Sequence, residues 1–208
     1  MNTTPILQVN KVTFHYPEKT LFDTLSVDIY HGLTILTGGD GCGKSSFLNI
    51  LAGELPILHG DVAINNVSLK AGRLEYQKNI FWVDTKKQIF DQFIVNDLLS
   101  TLSIAHQNFD QDLLVAAVNG LGLLPHLDKQ FFMLSTGTKR KVWLAAALSA
   151  RQPVTLLDDA FAGVDKLSIQ FFTTTLNQLL SLRNQSWVIS TYHELDAIHP
   201  TKIIDLGS

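Results

Sequence analysis

What this chain has least of is cysteine. A single residue, Cys42, among 208 leaves no partner for an internal disulfide, which suits a reducing compartment. Charge is sparse as well. Asp, Glu, Lys and Arg make up 17% of the residues and the formal net charge is −3, so there is no basic field to hold nucleic acid. Only the short run Lys139, Arg140, Lys141 stands out as a cationic block. Long apolar runs are missing too: no stretch reaches the roughly 18 residues that a bilayer span requires. The opening MNTTPILQVNK lacks a charged region followed by an apolar one, so no signal peptide is expected. There is no internal repeat, low-complexity tract or long linker. With 46% hydrophobic residues, the chain is expected to bury one substantial core as a single compact, soluble unit.

Alternating apolar residues at Ile6, Val9, Val12 and Phe14, then at Leu25, Val27 and Ile29, predict two antiparallel strands joined by a turn at Pro17 to Thr20. Further strands are expected at Leu33 to Thr37, Val62 to Ile64, Ile80 to Val83, Val154 to Leu157, Trp187 to Thr191 and Lys202 to Leu206. Apolar residues recur at helical spacing from Asp97 to Ala105 and from Gln111 to Leu121, so residues from about 86 to 134 read as a helical insertion. Ser135 caps a further Ala- and Leu-rich helix to about Ala150, and another is expected from about Lys166 to Leu182. One domain, 1–208, follows, with a core of 1–85 and 150–208 and a helical subdomain of about 86–149. Strands alternating with helices make it α/β, with a mostly parallel sheet flanked by helices and an antiparallel N-terminal part.

Gly38, Gly39, Asp40, Gly41, Cys42, Gly43, Lys44 and Ser45 fit the phosphate-loop pattern GxxxxGK[ST], between an apolar strand and a helix-like run from Ser46 to Ala52. Glycines let the backbone aim several N–H groups at one anion, and the helix that begins near Gly43 adds its positive end. Lys44 would reach the β- and γ-phosphates of a nucleotide, and the Ser45 hydroxyl would ligate Mg²⁺. The fold expected is that of a P-loop NTPase. Asp158 and Asp159 close the apolar run Val154 to Leu157, where such an enzyme needs a metal partner and a base that orients water. Read without the loop, those two acids would be an ordinary solvated turn. Cys42, beside a helix N-terminus, is either thiolate-prone or a small inert filler.

Leu134, Ser135, Thr136, Gly137 and Thr138, followed by Lys139, Arg140, Lys141 and Val142, resemble the LSGGQ signature of the ATP-binding cassette (ABC) family. Other motifs of that family follow in order. Tyr16 in VTFHYPE resembles the aromatic that stacks on adenine, Ala162 to Asp165 the D-loop, and His193 in STYHE the switch histidine. The resemblance covers essentially the whole chain. It implies an ATP-binding and ATP-hydrolysing transporter subunit, with Asp159, His193 and Lys44 catalytic. It also implies nucleotide contacts from Tyr16, the loop from Gly38 to Ser46, Ser135 and Gly137, and Mg²⁺ held by Ser45, Asp158 and Thr85. ATP and Mg²⁺ are the implied cofactors. The implied partners are a second nucleotide-binding subunit, as a homo- or heterodimer, and separate transmembrane permease subunits; nucleic acid is not among them. The place of work is the cytoplasm, on the inner face of the membrane, docked through the helical insertion and the surface from Thr85 to Phe93.

Several positions depart from the family pattern. Asp159 stands where Glu is usual, and the missing methylene motivates an alternative in which the subunit binds ATP but hydrolyses it little. Thr85, flanked by Asp84, stands where the Q-loop glutamine is expected, with Gln88 three residues on. Thr136 replaces a glycine and Thr138 the glutamine of the signature, and Asp40 stands where Asn is usual. A third reading, a soluble cassette acting on DNA or ribosomes, is opposed by the acidic balance and the lack of a basic patch.

Overall fold

The computed structural model describes residues 4–84, 88–182, 184–191 and 198–207. Its elements run β1 (Leu7–Tyr16), β2 (Lys19–Ile29), β3 (Gly32–Thr37), α1 (Lys44–Leu51), β4 (His59–Ile64), β5 (Val67–Ser68), α2 (Arg73–Gln77) and β6 (Ile80–Phe81). These are followed by α3 (Val95–Ala105), α4 (Gln111–Gly120), α5 (Thr136–Ala150), β7 (Val154–Leu157), α6 (Lys166–Ser181), β8 (Ser186–Ser190) and β9 (Lys202–Asp205).

Two sheets result. The first is antiparallel in the order β2-β1-β4-β5, and the second is a five-stranded parallel sheet in the order β6-β7-β8-β3-β9. The β1–β2 turn is tighter than the spacing predicts, because Lys19 and Thr20 already pair with Tyr16 and His15 and leave only Pro17 and Glu18 to turn. The strand predicted at Ile80 to Val83 is also shorter. It pairs with β7 only at Ile80 and Phe81, so Trp82 and Val83 are apolar without being part of the ladder.

The parallel strands are apolar on both faces because each face has its own packing layer. Trp187 and Ile189 of β8 enter one buried cluster with α3 to α6, whereas Val188 enters the other with the antiparallel sheet and α1. Helix α5 is the centre of the first layer. Every residue from Val142 to Ala150 is buried, and the helix packs against α3, α4 and α6. Over that stretch the helix is buried on every side and has no solvated stripe, whereas its polar first turns reach the surface.

The consequence for function lies at one edge. Strands β7, β8 and β3 are adjacent and parallel, so their carboxyl ends open together. Residues that follow those ends are brought side by side although they are far apart in sequence.

Candidate nucleotide site

After β3 the chain makes a loop, Gly38 to Gly43, and then enters α1 at Lys44. Gly43 is the N-cap with φ 107°, a left-handed conformation, and an added Cβ there would lie 3.1 Å from the Phe22 ring. Only glycine takes that backbone without strain beside that ring. Lys44 is buried at 8% exposure, and its Nζ donates to the Gly38 and Gly39 carbonyls at 2.6 and 2.9 Å. The ammonium is thus folded over its own loop. Cys42 Sγ lies 3.8 Å from it, half-buried.

Across the loop, Ser45 Oγ donates to Asp158 Oδ2 at 2.6 Å, joining α1 to the end of β7. Ser190, the last residue of β8, donates to Asp158 Oδ1 at 3.0 Å. The Asp158 carboxylate is therefore oriented from both sides. Its neighbour Asp159 has a left-handed backbone, φ 48°, unusual outside glycine but most tolerable for Asp and Asn. Arg140 of α5 grips that residue twice, Nη2 to Oδ2 at 2.8 Å and Nε to the main-chain carbonyl at 3.0 Å.

Several of these groups, though not Gly38, Gly39, Cys42 or Arg140, line a cavity of about 480 Å³, within the range of small-molecule sites. Tyr16, Asp40, Gly41, Gly43, Lys44, Ser45 and Ser46 from the sequence-based set form one wall, and Asp158 and Asp159 the other. Tyr16 is 45% exposed at the end of β1, with its hydroxyl 3.2 Å from Ser46 Oγ and its ring edge-on to Phe14 at 5.0 Å. Lys19, Leu21 and Ser190 also line the cavity and were missed from sequence. Lys19 Nζ donates to the Gly41 carbonyl at 2.9 Å, which ties the β1–β2 hairpin to the loop. Only its place two residues beyond the Pro17 turn hinted at this. His193 and Thr85 lie outside the described residues.

Ser135 and Gly137 do not line this cavity; they stand at the N-terminus of α5. Ser135 is the N-cap and accepts from Thr138 N–H at 3.2 Å, as the sequence predicts. Gly137 is required for another reason: a Cβ there would sit 2.0 Å from the Gly163 carbonyl oxygen. The signature segment and the D-loop segment are thus packed backbone to backbone. Asp165 caps α6 through Ser168 N–H at 3.0 Å and pairs with Lys141 Nζ at 2.5 Å. The hydrogen bond from Lys141, with that from Ser168, holds the Asp165 carboxyl well below the usual carboxylate range.

A Gly-rich turn at the carboxyl end of a central parallel strand, with a hydroxyl and an aspartate meeting beside it, defines the P-loop NTPase class. The ABC transporter family model matches residues 22–162, and the chain belongs to that family. Two curated relatives carry names of the same kind. The cytochrome c biogenesis ATP-binding export protein CcmA of Pseudomonas fluorescens is 29% identical over 208 residues, spanning 99% of this chain and 98% of that one. The thiamine import ATP-binding protein ThiQ of Vibrio cholerae is 27% identical over 198 residues, spanning 92% and 81%. Among solved structures, the ATP binding subunit of an ABC transporter superposes with a TM-score of 0.80 at 18% identity, covering 90% of this chain and 80% of that one. A putative ABC transporter ATP-binding protein from Pyrococcus furiosus gives 0.76 at 21% identity, covering 96% of each. At those identities the superpositions speak for the fold. Family and relatives together make the chain an ABC transporter ATP-binding subunit.

Proposed function

We propose that this subunit hydrolyses ATP at the cavity above the phosphate loop, as one half of a head-to-tail dimer whose closing and opening drives separate membrane subunits. The observation that carries the reading is the meeting of Ser45 Oγ and Asp158 Oδ2 at 2.6 Å beside the loop that holds Lys44. Two hard oxygen donors on that edge suit Mg²⁺, with Thr85 as the further candidate ligand. When bound there, the ion neutralises charge on the phosphates.

The chain's own residues divide the remaining work. Tyr16 stacks on the base, and the loop N–H groups with the N-terminus of α1 bind the phosphates. Lys44 exchanges the Gly38 and Gly39 carbonyls for phosphate oxygens, a contact between opposite charges that outweighs one to a neutral acceptor. Asp159 accepts the proton of the attacking water, and His193 contacts the terminal phosphate. Ser135 and Gly137, at a helix N-terminus away from this cavity, complete the partner's site. The core of 1–85 and 150–208 holds the nucleotide, and the helical part of 86–149 carries the docking surface.

Docking is supported by apolar residues left in the open. Ile89 and Phe93 are 66% and 39% exposed, and Phe132 and Met133 50% and 61%. Their two segments are joined by hydrogen bonds from Phe131 and Phe132 N–H to the Phe93 and Asp91 carbonyls, so the residues form one patch. Among the described residues no helix is long and apolar enough to cross a membrane. The membrane part therefore belongs to a partner in this reading, and the subunit works at the cytoplasmic face.

Nothing in the relatives' names favours the low-turnover alternative, and they divide between export and import. The test is Mg²⁺-dependent phosphate release by the full chain. Wild type is expected to turn over, and Lys44→Ala to lose roughly a hundredfold or more, since it removes a charge that stabilises the transferring phosphoryl group. Equal release from both, or release indifferent to Mg²⁺, contradicts the assignment.

A further inference from the structure

Lys139, Arg140 and Lys141 are consecutive on α5, so their side chains leave the helix about 100° apart and cannot form one basic face. Each reaches an aspartate of a different segment. Lys139 pairs with Asp91 at 3.1 Å in the exposed apolar patch, Arg140 with Asp159 at 2.8 Å at the cavity, and Lys141 with Asp165 at 2.5 Å at the cap of α6. The one cationic block in the sequence is a junction of three segments, and its middle member touches the site.

We propose that Arg140 is a positioning residue for hydrolysis, fixing Asp159 in cis and tying it to the helix whose first turn carries the signature. The inference rests on the assignment of ATP hydrolysis above. Three observations support it. The grip has two points, one on the carboxylate and one on the main-chain carbonyl, so it sets both the side chain and the left-handed backbone of Asp159. The Arg140 side chain is 20% exposed whereas that of Asp159 is 41% exposed, so the guanidinium is anchored and the carboxylate opens toward the cavity. Arg140 occupies Oδ2, which leaves Oδ1 as the oxygen to meet water. A shortened acid has little slack, and an error of about 1 Å at such a group costs on the order of a hundredfold in rate.

Because α5 also abuts the D-loop segment through Gly137 and Gly163, a shift of the helix start is a shift of the Asp159 anchor. Engagement of the signature by a partner's nucleotide is thereby felt at this subunit's own acid. Lysine replaces the arginine only in part, since its ammonium lacks the rigid planar fork that fixes the carboxylate and the main-chain carbonyl in one geometry.

Phosphate release and equilibrium binding of a fluorescent ATP analogue, measured on the full chain as wild type, Arg140→Gln and Arg140→Lys, test this. The expected result is a fall in kcat of about tenfold to a hundredfold for Gln, a smaller fall for Lys, and KM and affinity within about twofold of wild type. An unchanged or raised kcat in Arg140→Gln overturns the proposal. So does a parallel loss of kcat, affinity and thermal midpoint in both variants, which marks a merely structural contact. If Arg140→Gln fails to fold, the split between kcat and KM in Arg140→Lys decides alone. Wild type that binds ATP and releases no phosphate refutes the assignment of hydrolysis and takes this inference with it, whereas wild-type turnover with an indifferent Arg140→Gln refutes only Arg140.

Discussion

At the scale of single residues, the site is a set of charges already in balance. Lys19, Lys44 and Arg140 stand against Asp40, Asp158 and Asp159, and each cation has a defined acceptor: a loop carbonyl, two loop carbonyls, or Asp159 itself. Asp158 is oriented by two hydroxyls and Asp159 by one guanidinium. These two neighbouring carboxylates therefore meet different surroundings, which is how adjacent acids acquire different roles. In the proposed reading Asp158 would face the metal and Asp159 the water. Exchanging Asp159 for Glu restores a methylene of reach. Turnover is expected to rise, by up to about a hundredfold if a 1 Å shortfall is the whole deficit, and to collapse in Asp159→Ala. Steady-state phosphate release on the three proteins checks this; no gain from Glu means that the short acid is not limiting.

At the scale of elements, the candidate site lies at one edge because β7, β8 and β3 are neighbours whose carboxyl ends bring the phosphate loop, Asp158, Asp159 and Ser190 together. The sequence makes the strands legible, since their apolar runs stop at Thr37, Leu157 and Thr191 and are followed by glycines, acids or a histidine motif. It also makes the caps legible: Ser135 and Asp165 start α5 and α6 where the patterns predict. Arg140, Lys19 and Ser190 were not readable as site residues. Their roles arise from contacts across 19, 22 and 32 positions, which no local spacing encodes. The sequence motif places Gly137 near a phosphate, and the structure adds a reason inside the subunit. Gly137→Ala must move a methyl group away from the Gly163 carbonyl, at a cost of about 1–3 kcal/mol and a rotation of the α5 start against the D-loop segment. The midpoint of chemical denaturation should fall accordingly; an unchanged midpoint means the two backbones separate freely.

At the scale of the whole molecule, helix α5, buried from Val142 to Ala150, joins the cavity, the signature segment and the exposed apolar residues, the three places that carry work in the proposed reading. Helix α5 holds Asp159 through Arg140, the 88–94 segment through Lys139, and the start of α6 through Lys141. Close packing from Val142 to Ala150 favours motion of the helix as one body. A nucleotide bound at one end and a membrane partner docked at another would then report to each other through one rigid part. In the proposed reading the completed site needs a second subunit, since Ser135 and Gly137 do not line the cavity of their own chain. Sedimentation velocity of the full chain with and without saturating Mg-ATP tests this most directly. The expected result is a shift from monomer to dimer that Lys44→Ala abolishes; a chain that binds the nucleotide yet stays monomeric at every concentration contradicts the two-subunit site.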